Sequence, residues 1–261
     1  MKKGIFLGLT FILAFVLSGC FNTQSVISYE FYSQSAPASL VHLYVSIKSI
    51  SADKVVTTYL DDKKMDLVSQ KPQELISNIG IKVPVSIHSL KFLISPIATA
   101  VYTDGSTKTF HVATNVTTDF YGYSTQQMEK APLKINGVGQ SKTALILWNL
   151  SNFSTSSTLS SFLDGEAFDK DKMVELTVKY KVPLSGTYFA KISDSMKTFE
   201  FTKRCDESNY DQINDEYDFT LYPFRSPVDT YQAILSISTA TQTVVSTEVN
   251  IGSTDITITL P

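Results

Sequence analysis

At 261 residues with a formal charge of −3, the chain is long enough for one large or two ordinary domains. Its mild acidity gives no electrostatic footprint for nucleic acid or anionic lipid headgroups, which excludes those partners. Only 18% of residues are charged, while Ser, Thr, Tyr and Phe are plentiful, a composition that favours strands and matches a secreted β protein.

The chain begins with Lys2 and Lys3, an apolar run from Gly4 to Val16, and then Leu17-Ser18-Gly19-Cys20. A basic segment, a short apolar segment and a small-residue site read as a secretory signal peptide over residues 1–19. The apolar run is shorter than the roughly 20 residues a membrane-spanning helix needs. Leu17-Ser18-Gly19-Cys20 resembles the lipobox of bacterial lipoproteins. That resemblance implies a diacylglyceryl thioether on Cys20, cleavage after Gly19 and acylation of the new amino terminus. Several acyl chains give stable anchoring where one does not. Phe21, in place of an Asp, points to the outer membrane in a two-membrane organism and otherwise to the outer face of the cytoplasmic membrane. Loss of residues 1–19, which carry two lysines, would leave 242 residues and move the charge from −3 to −5. With Cys20 claimed by lipid, Cys205 has no partner, so no disulfide framework is expected. Cys205 reads as a small buried hydrophobe.

Residues 20–39 read as a lipidated tether rich in Ser and Gln. Its aromatic patch, Tyr29, Phe31 and Tyr32, suits a first strand better than an exposed surface. From Leu40 to Ile50 the residues alternate, with Leu43, Val45 and Ile47 on one face, as in a half-buried strand. A hairpin is expected next, Val55–Leu60 and Lys64–Leu67 joined through Asp61-Asp62-Lys63. Pro72 to Gly80 predicts a short helix, with proline in its first turn and glycine past its end. Ile97–Thr103 and Ser106–Ala113 flank Asp104-Gly105, a dipeptide suited to the positive φ of a type I′ turn. Two more strands, Pro132–Asn136 and Lys142–Leu150, surround Gly137-Val138-Gly139. That pair lacks the third glycine and the following helix of a nucleotide loop. A Ser/Thr-rich segment then leads through Asp164-Gly165 to a charged link, Asp169–Lys172, where a domain boundary is expected.

Ser-Ala-Pro at 35–37, the strand LVHLYVSIKSISAD, MDLV, the helix and the Asp-Gly hairpin together resemble the domain-of-unknown-function 4382 family (DUF4382) of bacterial and archaeal envelope proteins, over roughly residues 26–160. The family usually has a leucine-proline-x-glycine-x-tyrosine stretch where Val83-Pro84-Val85-Ser86-Ile87 stands. It usually carries acidic residues where this chain has Leu147-Trp148-Asn149-Leu150. The resemblance implies a β-sandwich and lends no catalytic residues.

The remainder reads as seven short strands: Val174–Tyr180, Thr187–Ile192, Lys197–Thr202, Tyr217–Tyr222, Tyr231–Ile237, Thr243–Val249 and Ile256–Leu260. Their rhythm suggests an immunoglobulin-like or related sandwich. The expected architecture is therefore mainly β: two β-sandwich-like domains, 40–165 and 170–261, with one short helix in the first.

Candidate chemistry is sparse. His42, His88 and His111 lie on separate predicted strands and lack metal-ligand spacing. Asp206, Asp211 and Asp215 lie in an acidic run that offers oxygen ligands but no calcium-loop pattern, and read as a solvated loop. No nucleophile elbow is present, and no pair of carboxylates stands out as glycosidase-like. Trp148 sits in an apolar strand and reads as core. Tyr121 and Tyr123, beside Gly122 in an expected loop, are the candidate ligand-binding aromatics, since exposed rings stack on sugars or partner surfaces. The sequence thus reads as a non-enzymatic envelope lipoprotein without cofactor or metal, serving binding, adhesion or scaffolding. The alternatives are a carbohydrate or protein-ligand receptor and an envelope hydrolase. Beyond the membrane itself, the candidate partners are a surface glycan or an envelope protein.

Overall fold

The computed structural model describes residues 25–34, 36–68, 73–79, 84–124, 127–150, 153, 164–195, 199–226 and 230–261. The segment read as a signal peptide, residues 1–19, and Cys20 lie outside them. The described residues are mainly β and contain no α-helix, only two 3₁₀ turns, Lys170–Lys172 and Glu207–Asn209.

Thirteen strands build the first module: β1 (Ser25–Gln34), β2 (Leu40–Ala52), β3 (Val56–Asp66), β4 (Gln73–Ile79), β5 (Val85–Ile87), β6 (Ser89–Ile94), β7 (Ile97–Tyr102), β8 (Thr107–His111), β9 (Asn115–Ser124), β10 (Gln127–Lys130), β11 (Leu133–Ile135), β12 (Ser141–Asn149) and β13 (Asp164–Asp169). Eleven of them form one sheet in the order β4-β1-β12-β13-β9-β6-β2-β7-β8, with β3 added on β2 and β10 on β9; β5 and β11 pair separately. The sheet is strongly bent. Three ladder steps separate β12 from β6, about 14 Å in a flat sheet, yet the rings of Trp148 and Phe92 lie 5.4 Å apart. Phe31 of β1 closes the triangle, 5.9 Å from Phe92 and 6.0 Å from Trp148. Ile87, Leu133 and Ile135 of the small sheet close over the same core.

The second module is a sandwich of two four-stranded sheets. Its strands are β14 (Leu176–Tyr180), β15 (Tyr188–Asp194), β16 (Glu200–Cys205), β17 (Tyr210–Asp211), β18 (Glu216–Leu221), β19 (Tyr231–Ser238), β20 (Thr243–Ile251) and β21 (Ile256–Leu260). All seven expected strands are present, and the two-residue β17 is added. The sheet orders are β17-β18-β14-β21 and β16-β15-β19-β20. In an immunoglobulin sandwich the first strand pairs with the second. Here β14 pairs with β18 and, in parallel, with β21, so the fold is the related sandwich rather than the immunoglobulin arrangement.

A wall of four strands, β1-β12-β13-β9, joins the modules because both of its faces are buried. Side chains alternate across a strand. On β12, Ala144, Ile146 and Trp148 enter the first core, while Leu145 and Leu147 enter the second. On β1, Tyr29 and Phe31 face the first core. Tyr32 faces the second, 5.6 Å from both Phe201 and Tyr222. Ala167 and Phe168 of β13 divide in the same way. Polar contacts register the two bodies: Lys170 Nζ donates to both oxygens of Glu30 at 2.8 Å, and Arg204 donates to the Leu40 carbonyl.

Several expectations are corrected. The predicted helix over 72–80 is a strand: β4 runs antiparallel to β1 from Ser25↔Ile79 to Phe31↔Gln73. The edge of β1 offers a full row of unpaired backbone groups, which outweighs a proline-glycine bracket around a segment too short to hold a helix by itself. The stretch read as tether contains β1, so its aromatic patch is indeed a first strand. Residues 61–63 do not reverse the chain. Ile47↔Lys63 and Ser49↔Tyr59 keep β3 on β2 across a bulge, where Asp61 and Asp62 take φ of 46° and 55°; the reversal comes at Asp53-Lys54. At the Asp104-Gly105 hairpin only Gly105 has positive φ, 79°. With Gly105 N–H donating to the Tyr102 carbonyl, the loop is a three-residue turn ending in a left-handed glycine rather than type I′. The first sheet's last strand, β13, runs to Asp169, and the charged link at Asp169–Lys172 follows as a 3₁₀ turn before the second module.

The wall also holds polar orphans. Thr118 is fully buried, and its hydroxyl and the Trp148 indole N–H have no hydrogen-bond partner among the described residues. A Cβ on Gly165 would lie 2.9 Å from the Leu147 carbonyl and 3.5 Å from Thr118 Oγ1. Replacing a buried unpaired hydroxyl by a methyl relieves its desolvation cost, so Thr118→Val is expected to raise stability by about 1 kcal/mol. Gly165→Ala overpacks the same site and is expected to lower stability by about 1–3 kcal/mol. Thermal unfolding followed by near-UV circular dichroism measures both; a destabilised Thr118→Val would show that the hydroxyl has a partner.

Candidate functional site

Tyr121 and Tyr123 lie on β9 rather than in a loop. Both are partly buried against the second core. Asn115–Ser124 alternates, with Val116, Thr118 and Phe120 inward; of the odd residues Asn115 and Thr117 are exposed, while Tyr121 and Tyr123 face the second module. Tyr123 stacks on Phe224 at 5.2 Å with an 11° interplanar angle and lies 5.4 Å from Tyr231. Its hydroxyl donates to Asp194 Oδ2 at 3.1 Å. Asp194 is buried and also accepts from the Phe199 amide at 3.0 Å. Burial, reinforced by Tyr123 and Asp194 nearby, raises the Tyr231 hydroxyl well above its ordinary range.

Beside this stack opens a pocket of about 300 Å³. One wall is Tyr121, Gly122 and Tyr123 of β9, with Glu129 of the neighbouring β10 and Ala131 and Pro132 just after that strand. The other is Phe224, Arg225 and Ser226, and the 3₁₀ link contributes Asp169 and Lys172. β10 pairs with β9 through Met128↔Tyr123 and Lys130↔Tyr121. The strands approach closely enough that a Cβ on Gly122 would meet the Ala131 Cβ at 2.9 Å. The isolated bridge Met173↔Phe224 and the Arg225 N–H donating to the Lys172 carbonyl at 2.8 Å bring the other side together. Burial raises the Asp169 carboxyl above its ordinary range, partly opposed by Lys142 at 3.6 Å.

Sequence reasoning found the aromatic pair but missed Lys172 and Arg225. They are 53 positions apart and meet only through that bridge.

The acidic candidates have structural roles. Asp211 accepts from the Ile213 and Asn214 amides at 2.9 and 3.4 Å and from the Asn214 side chain at 2.7 Å, closing the turn after β17. Asp215, at φ 55°, accepts from the Tyr210 hydroxyl. Asp206 lies 4.0 Å from Arg204. Among the described residues no three or more His, Cys, Asp or Glu side chains are grouped to hold a metal. His42 Nδ1 is 2.7 Å from Asp66 and its ring stacks on Tyr44. His88 is 3.4 Å from Asp53 and sits between β5 and β6 rather than on a strand. His111 is exposed on β8. Trp148 is core, at 1% exposure.

No family model matches the chain, and no curated protein matches it. Among solved structures it is similar to a shaft pilin of Lactobacillus rhamnosus GG, with 11% identity, TM-score 0.22, 90% of this chain and 97% of that chain covered. It is similar to a putative adhesin of Bacteroides ovatus, with 8% identity, TM-score 0.22, 90% and 88% covered. The major pilin of Streptococcus pyogenes gives 9% identity, TM-score 0.19, 91% and 97% covered. At such scores the likeness carries no argument about function.

Two outcomes follow from this geometry. Tyr123→Phe removes a donor from a buried carboxylate and is expected to cost about 1–3 kcal/mol in urea unfolding. An unchanged midpoint would show that the Asp194 contact contributes nothing. Burial pushes the Cys205 thiol up to about 12, so it is overwhelmingly protonated at pH 8. In Cys20→Ser protein, Cys205 is expected to react with a disulfide reagent only after denaturation. Fast labelling of the native protein would contradict this burial.

Proposed function

We propose that the chain is a lipid-anchored, non-enzymatic module of the cell envelope, held through Cys20 and presenting a stiff double β body for binding, adhesion or scaffolding. The observation that carries this reading is Leu17-Ser18-Gly19-Cys20 directly after a short apolar segment with two leading lysines. In a two-membrane organism the site of anchoring is the outer membrane; otherwise it is the outer face of the cytoplasmic membrane. The similarity of the first module to DUF4382 belongs to the same proposal.

Packing supports the non-enzymatic part. Of the two carboxylates at the pocket, Asp169 is engaged by Lys142 and Glu129 accepts from the Ser124 hydroxyl at 2.6 Å. Neither stands as an isolated proton donor with a poised partner. The pocket beside Tyr121 and Tyr123 favours the receptor form of the binding reading, with a surface glycan or envelope protein as ligand.

Metabolic labelling with a fatty acid, comparing wild type with Cys20→Ser, tests the anchor. The expected outcome is loss of label and a shift of the variant from the membrane to the soluble fraction, since the acyl chains on Cys20 supply the anchoring. Full membrane retention of the variant would overturn the anchor. Turnover of any glycan or ester substrate, abolished by Glu129→Gln or Asp169→Asn, would overturn the non-enzymatic reading.

A further inference from the structure

The cations around the inter-module pocket divide into two sets. Lys130 is paired with Asp119, Lys142 with Asp169 and Asp171, and Lys170 with Glu30. Lys172 and Arg225 are exposed, line the pocket, and form no salt bridge among the described residues. The 2.8 Å backbone hydrogen bond between them fixes their main chains side by side. Lys172 acts on the Asp169 carboxylate through space without closing a salt bridge, so the two neighbouring cations are only partly compensated and an anion would relieve the repulsion left between them.

The rest of the lining constrains what that anion is. Tyr121 is partly exposed and Pro132 is apolar, and these surfaces suit the C–H face of a ring. Glu129, Asp169 and Ser226 offer acceptor oxygens. Carboxylates would repel an anion with nothing to donate, but they accept hydrogen bonds from hydroxyls. A volume of about 300 Å³ stands at the lower end of small-molecule sites, with room for one or two rings and not for a folded partner. An apolar ring face, several hydroxyls and one carboxylate on the same small body describe a uronic acid.

We propose that the pocket between Tyr121–Tyr123 and Phe224–Ser226 binds an acidic saccharide, its pyranose ring on Tyr121, its carboxylate on Arg225 and Lys172, and its hydroxyls on Glu129, Asp169 and Ser226. This rests on the binding-module reading and names its ligand class. Arg225 supplies planar, two-pronged recognition of the carboxylate, which Lys172 complements as a point charge.

The test is calorimetric titration of the full-length, detergent-solubilised protein with glucuronate and digalacturonate, beside glucose and triglutamate. Saturable binding of the uronates is expected. It should weaken about tenfold in Arg225→Ala and in Lys172→Ala, fall further in Tyr121→Ala, and weaken as salt is raised, with melting temperatures unchanged in the two exposed-cation variants. Arg225→Lys should recover part of the loss. Absence of uronate binding by the folded wild type would overturn the proposal. So would equal binding of glucose, equal binding of triglutamate, or uronate binding indifferent to Arg225→Ala and Lys172→Ala. Failure here, with fatty-acid labelling and membrane retention still dependent on Cys20, sinks the ligand assignment alone. Uronate binding alongside membrane retention independent of Cys20 sinks the anchor alone.

Discussion

The structure depends on one constraint: where strands β1, β12, β13 and β9 lie between the modules, both of their faces must be packed at once. An ordinary sandwich strand alternates because one side meets water. The centre of β12 meets a core on each side, and so Ala144-Leu145-Ile146-Leu147-Trp148 runs uninterrupted and is buried at every position, with exposure no greater than 1%. Odd and even side chains serve different cores, so a substitution on one face shifts the backbone that the other face packs against. The two cores are distinct clusters coupled through a shared backbone. The polar contacts across the junction are few and specific. Glu30 with Lys170, Tyr123 with Asp194 and Arg204 with the Leu40 carbonyl fix how the modules sit, while apolar burial supplies the adhesion between them. Partly desolvated charge pairs are a weak source of stability but a good source of registration.

Much of this was legible in the sequence where strands were half exposed. The seven strands of the second module follow from alternation and turn residues, and Leu43, Val45 and Ile47 of β2 face inward as their spacing dictates. Legibility fails where tertiary pairing decides. Residues 73–79 carry end signals suited to a helix but are recruited by the edge of β1. Asp61-Asp62 has turn residues yet makes a bulge, because β2 continues past it on the other side. Tyr121 and Tyr123 beside Gly122 read as loop, although they end a central strand and are covered there by a module that begins about fifty positions later.

The candidate site divides along the same line. Tyr121 and Tyr123 stand out locally as aromatics flanking a glycine, and the structure keeps them beside a pocket while assigning Tyr123 chiefly to packing. Lys172 and Arg225 are ordinary charges in sequence. Their significance comes from a backbone hydrogen bond between distant segments and from what their neighbours do. Lys130, Lys142 and Lys170 already hold carboxylates, which leaves these two turned to solvent at the rim.

The position of β1 has a mechanical consequence. It starts at Ser25, five residues beyond Cys20, a contour of about 17 Å when fully extended. An anchor at Cys20 would therefore transmit force almost directly into β1, which is zipped along its length to β12 on one side and β4 on the other. Pulling lengthwise on a strand held between two neighbours loads the ladder bonds in shear, together, rather than peeling them one at a time. β12 runs parallel to β1, so a tug on the leash would slide the two strands past each other at the middle of the body, where both cores resist. A protein tethered in this way would carry its load through its most buried element.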